Sequence, residues 1–170
     1  MASYIQKFSG VENREISTTG LGVNSTTTDT ILQSFNLGSS AFTTGDNIIL
    51  FSILERGGTN GNIFGRFYIN TGNTLTGAIQ VGARTLSITQ SISLFERRLF
   101  IANDTGGGSG NSIGTQVISS TLNVADDFRV GNIYSSLAID WTQDIWLMVS
   151  GNITTVGDAI TCYGLKAFKY

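Results

Sequence analysis

Histidine and proline are absent from this 170-residue chain, and cysteine occurs once, at Cys162. Without histidine, Ser-His-Asp and Cys-His catalysis and histidine-ligated metal chemistry are excluded. A single cysteine cannot close an internal disulfide. Lying in an apolar strand pattern, Cys162 reads as a buried, inert thiol, and nothing implies an oxidising compartment. Charge is scarce as well: 13% of residues are Asp, Glu, Lys or Arg, against about 25% in ordinary soluble domains. The polar surface must therefore come largely from Ser, Thr, Asn and Gly. A formal net charge of −2 with no basic cluster gives no electrostatic reason to bind nucleic acid. Arg97-Arg98 is the only adjacent basic pair, and its strand pattern sends the two side chains to opposite faces. No apolar run approaches the roughly 18–20 residues needed to cross a bilayer, so no membrane insertion is expected. The opening MASYIQKFSG lacks the long apolar stretch of a signal peptide, so none is expected. There is no heptad pattern, and the one helix candidate, 121–128, is short and weakened by β-branched residues.

What the chain does have is apolar and aromatic content: 41% hydrophobic residues with 10 Phe, 5 Tyr and 2 Trp, which argues against disorder. The length suits one domain with a substantial core. Residues 1–30 are polar, with a low-complexity stretch at 22–30. They read either as a frayed terminus or as an arm docking onto a neighbouring protein. Tyr4, Ile5, Phe8 and Ile16 are more apolar than a solvated tail needs and are the candidate anchor residues.

From residue 31 onward strand signals become regular. Segment 31–37 is a strand, 42–47 a turn, and 48–55 a strand with Ile49, Phe51 and Ile53 on one face and Ile48, Leu50 and Leu54 on the other. The glycine-rich 57–62 reads as a hairpin loop, with 63–70 as the partner strand. A turn at 70–74 precedes a segment with Leu75, Ile79 and Val81, followed by strands at 83–88 and 91–101. The latter sets Phe95, Leu99 and Ile101 against Ile92, Leu94 and Phe100. Residues 103–114 read as a flexible loop and 116–124 as a further strand. Roughly eight to ten strands at this spacing suit a sandwich, jelly roll or barrel.

The best-defined stretch is 136–170. Leu137, Ile139 and Trp141 alternate with smaller residues; Thr142-Gln143-Asp144 is a polar break; Ile145, Trp146, Leu147, Met148 and Val149 are apolar on both faces. Such a strand is covered on both sides, inside a two-sheet sandwich or at a subunit contact. Trp141 and these five residues are therefore the candidates for core or oligomer interface. The last strand is expected to place Tyr163, Leu165 and Ala167 on one face and Ile160, Cys162 and Phe168 on the other.

Candidate chemistry is thin. Asp140 and Asp144 could form a carboxylate pair for glycoside hydrolysis, but their place at a strand end and in a turn favours side-chain bonds to backbone. Asp126-Asp127 supplies too few ligands for calcium. Gly106-Gly107-Gly108-Ser109-Gly110 lacks the Lys and Ser/Thr of a phosphate loop. Trp141, Trp146, Tyr68, Tyr134 and Tyr163 could include a sugar-stacking platform, or belong to the core or a subunit contact. No catalytic residue, metal or cofactor is expected.

Two patches carry a family resemblance. In the first, Gly45-Asp46, Gly58-Thr59-Asn60-Gly61, Asn70, Leu75 and Gly77-Ala78 punctuate apolar strands; in the second, Ile139-Asp140-Trp141-Thr142, Asp144 and Gly151 flank the aromatic strand. Together they resemble the jelly-roll domain of tailed-phage virion structural proteins, over most of residues 30–170. With the strand spacing, the resemblance implies an all-β, single antiparallel jelly-roll-like β-sandwich at 31–170; the extended N-terminal arm expected at 1–30 departs from the family pattern. The resemblance also implies a non-enzymatic head decoration, head-fibre or appendage component of the virion, commonly a homotrimer, in contact with capsid, portal or tail proteins. A receptor- or glycan-binding tail-fibre tip contacting host surface glycan is the alternative, and a glycan hydrolase a lesser one.

Overall fold

A computed structural model describes residues 20–22, 26–89, 91–105, 112–115 and 134–169. The weak helix candidate at 121–128, the expected strand at 116–124, Asp126-Asp127, the glycine run at 106–110 and the anchor residues Tyr4, Ile5, Phe8 and Ile16 lie outside them. Ten strands follow in chain order: β1 Gly20–Gly22, β2 Thr26–Gly38, β3 Asn47–Gly57, β4 Ile63–Asn70, β5 Ile79–Leu86, β6 Ile92–Ile101, β7 Ser112–Thr115, β8 Tyr134–Leu137, β9 Ile145–Ile153 and β10 Ala159–Lys169. The described residues contain no helix.

Period-two alternation decides the layers. In β3 the residues Ile48, Leu50, Ser52, Leu54 and Arg56 are buried, while Ile49, Phe51, Ile53 and Glu55 are half-exposed. In β4, Ile63, Gly65, Phe67 and Ile69 face inward. Pairing the buried faces yields two antiparallel sheets packed as a sandwich. One is six-stranded in the order β1-β10-β3-β6-β7-β8; the other is four-stranded in the order β2-β9-β4-β5. The pairs nest: β1 with β10, β2 with β9, β3 with β6 and β4 with β5, while the β7–β8 pair extends the larger sheet beyond β6. Between the sheets Phe67 stacks on Phe95 at 3.9 Å. At one end Trp141 meets Phe42 edge-on at 5.4 Å.

Several expectations need correction. β3 and β4 lie in different sheets, so 57–62 crosses between layers and is not a hairpin loop. The physical cause is Asp158, whose buried carboxylate gathers the backbone N–H groups of Asn60 and Gly61 at 3.0 and 2.8 Å and the guanidinium of Arg56 at 3.2 Å. Residues 20–22 and 26–30, expected in the arm, are strand residues that pair with β10 and β9. Within the expected loop 103–114, residues 112–114 belong to β7.

In β10 the expected faces break after Cys162, where the register against β3 shifts. Gly164 takes φ +87°, a left-handed conformation open to glycine at no steric cost. The bulge inverts the alternation. Ile160, Cys162, Leu165 and Ala167 all face the core, whereas Tyr163 and Phe168 face outward with Thr161 and Lys166. Arg97 and Arg98 point to opposite faces, as expected: Arg97 turns inward, 1% exposed, and Arg98 outward.

Candidate functional site

Trp141, Ile145, Leu147, Met148 and Val149 are buried within the protomer itself. β9 lies between β2 and β4, so its inner face meets the other sheet, and on its outer face Met148 lies between its register partners Ser34 and Tyr68. Trp146 is half-buried. The five aromatics form no single platform. Trp141 is core, Tyr68 lies on the outer face of the four-stranded sheet, Tyr163 lies on that of the six-stranded sheet, and the side chain of Tyr134 is outside the described residues.

The carboxylates of the second family patch shape a turn. Asp140 Oδ1 accepts bonds from Thr142 N–H and Oγ1 at 3.0 and 2.6 Å. The Thr142 hydroxyl, then its N–H, holds the Asp140 carboxyl below the usual range. Asp144 is exposed in the following residues. Asp46 of the first patch accepts Thr43 N–H at 2.7 Å and pairs with Lys169 at 2.8 Å. Burial alone would raise its pKa, but these bonds lower it. Among the described residues, no group of three or more His, Cys, Asp or Glu is placed to hold a metal.

The outer faces carry more. On the six-stranded sheet, Ile92, Leu94, Phe100 and Tyr163 are 62%, 50%, 39% and 38% exposed. Register sets Ile53 beside Leu94, and Phe168 beside Ile49, so the exposed side chains join half-exposed Ile49, Phe51, Ile53 and Phe168 in one apolar field. Its charges are balanced: Glu96 pairs with Arg98 at 2.9 Å, Glu55 accepts the Tyr163 hydroxyl, and Lys166 lies 5.7 Å from the Phe168 ring. This field was missed in the sequence although its signal was present. β6 carries apolar residues on both faces, Ile92, Leu94 and Phe100 outward and Phe95, Leu99 and Ile101 inward.

The outer face of the four-stranded sheet carries a polar cluster. β2 shifts register against β9 between Thr26 and Thr30, and the irregularity re-aims Asp29 across β9 toward β4. Its carboxylate receives Arg66 Nη1 on Oδ1 and the Tyr68 hydroxyl, at 2.7 Å, on Oδ2. Gln80 Oε1 lies 3.3 Å from the same phenol oxygen. Burial first, and then the bond and charge of Asp29, push the Tyr68 phenol up to about 12. Arg66 also lies 5.4 Å from the Phe64 ring. A cleft of about 400 Å³ opens beside the cluster, lined by Thr28, Asp29, Tyr68, Leu75 and Thr76.

The chain matches no family model, no curated protein and no solved structure.

Proposed function

We propose that the chain is a non-enzymatic structural component of a tailed-phage particle, a jelly-roll decoration, head-fibre or appendage protein. In this reading it assembles as a homotrimer through the outer face of its six-stranded sheet. The observation that carries the reading is the apolar field of Ile92, Leu94, Phe100 and Tyr163, because contiguous exposed apolar surface marks interaction sites. Its balanced charges, two carboxylates and two cations, suit contact between identical copies, as does the formal net charge of −2.

Two further features support the reading. The orders β1-β10-β3-β6 and β2-β9-β4-β5, with their nested pairs, suit a jelly roll in which the β7–β8 pair is inserted before the last two strands. Residues that carry the resemblance, Asp46, Asn60, Gly61 and Asp140, hold turns and loop crossings, which fits a motif that specifies the fold. Residues 1–19 would serve as the anchor to a capsid, portal or tail protein.

Sedimentation tests the assembly. The wild type should run as a trimer at micromolar concentration, and Leu94→Lys combined with Ile92→Lys should run as a monomer with an unchanged melting temperature. A wild-type monomer would overturn the assembly. Imaging of particles with the protein labelled tests the virion location, and deletion of residues 1–19 should abolish incorporation while sparing every described strand.

A further inference from the structure

We propose that the pocket between the β4–β5 connection and the turn before β9 receives a lysine side chain presented by a partner protein. The inference does not rest on the assembly proposed above, because no residue of the apolar field lines this pocket.

The two sequence patches meet here. Asn70 and Gly77 belong to the first, Ile139 and Asp140 to the second, and all four line one pocket of about 240 Å³. That is below the roughly 300–1,000 Å³ of sites for whole small molecules and suits a single side chain. The walls are aliphatic, formed by Ile69, Ile79, Ile139 and Ile145 with exposed Ala138 beside them. The polar part is narrow. Asn70 is engaged in the loop: its Nδ2 donates to the carbonyls of Thr74 and Thr76 at 2.8 and 3.1 Å, and its Oδ1 accepts Thr71 N–H at 2.9 Å. Asp140 supplies the charge.

That carboxylate selects the occupant. The bonds from Thr142 keep it ionised at neutral pH. An anion is therefore repelled, and a wholly apolar group would strip water from the charge without replacing it. A metal ion lacks ligands, since among the described residues no group of three or more His, Cys, Asp or Glu is placed to hold one. An ammonium on an alkyl stem meets both parts of the lining. Thr142 N–H and Oγ1 fill both acceptor positions of Asp140 Oδ1, at 3.0 and 2.6 Å. Oδ2 remains for a point charge, whereas the two-oxygen fork preferred by arginine is not on offer. The formal net charge of −2 likewise favours a basic partner.

Titration of the nitrogen-15-labelled protein with N-acetyl-lysine methylamide, followed by amide NMR, tests the site. The amides of Thr71, Asp140 and Ile145 should shift, with millimolar affinity. The norleucine analogue, which keeps the stem and lacks the ammonium, and the arginine analogue should each bind at least tenfold more weakly. Asp140→Asn keeps an oxygen for Thr142 and should lower the lysine affinity at least tenfold with an unchanged melting temperature. Ala138→Trp fills the pocket from an exposed position and should abolish binding. The Leu94→Lys, Ile92→Lys protein should bind as the wild type does, which separates failure of the pocket from failure of the assembly. No shifts at tens of millimolar, equal binding of the norleucine or arginine analogue, or indifference to Asp140→Asn would overturn the proposal. So would n-butylamine binding tenfold tighter than the lysine analogue, which would make a free amine the ligand.

Discussion

Arg56 and Asp158 stand 102 positions apart in the chain and meet at 3.2 Å with their side chains 2% and 0% exposed. Neither charge is left with one partner. Arg56 also donates to the carbonyls of Gly58 and Leu86 at 2.7 and 3.2 Å, and Asp158 accepts from Asn60 and Gly61. The pair ties the end of β3, the crossing to β4 and the turn before β10 into one buried network.

Asp158→Ala should therefore destabilise the fold by about 3–5 kcal/mol, because it strands a buried guanidinium and two backbone donors. Urea unfolding measures this. A loss below about 1 kcal/mol would mean that the network does not hold the crossing.

Acid should expose the same dependence. Burial pushes the Asp158 pKa up, but the N–H groups of Asn60 and Gly61 and the charge of Arg56 outweigh it and leave the group below its ordinary 3.8. A carboxyl depressed on folding contributes stability that is fully present above the unfolded value and lost as pH falls through the folded one. The melting temperature should thus decline from about pH 4 downward, and the decline should be shallower in Asp158→Asn.

Gly151 of β9 lies where the two sheets pack closely. A Cβ there would sit 2.6 Å from Ile160 Cγ2 and 3.0 Å from Leu32 Cδ1. Gly151→Ala should cost about 1–3 kcal/mol by overpacking, measurable by thermal melting, and Ile160→Val in the same chain should recover part of it.

Trp141 is the largest fully buried side chain, edge-on to Phe42. Its backbone also joins separate loops, with the carbonyl accepting Ser40 N–H at 2.9 Å and the N–H donating to Asp104 at 3.1 Å. Trp141→Ala should cost about 3–5 kcal/mol in urea unfolding, and Trp141→Phe less, since a ring edge remains against Phe42.

Burial pushes the Cys162 thiol up to about 11, against the opposing effect of its bond with Ser52 at 3.1 Å. Because the thiolate is the nucleophile, the native protein at pH 8 should react with Ellman's reagent at least about two orders of magnitude more slowly than the urea-unfolded chain. Equal rates would place the thiol at the surface.

The sequence by itself determined the all-β class, the two alternating faces of β3, β4 and β6, the buried thiol, the split of Arg97 from Arg98 and the turn-forming part of Asp140. All of these follow from period-two alternation or from bonds within a few residues, so a local pattern carries them. The tertiary structure alone decided which strands share a sheet. The crossing at 57–62 was read as a hairpin because the carboxylate that bends it away, Asp158, arrives about a hundred residues later. The outward turn of Phe168 came from one bulge at Gly164, which alternation counted from the strand's start cannot register. The candidate sites have the same origin. Asp29, Arg66, Tyr68 and Gln80 come from β2, β4 and β5, and no local pattern joins them. The apolar face of β6 was visible in its sequence, but only the layering showed which of its two apolar faces stays in water.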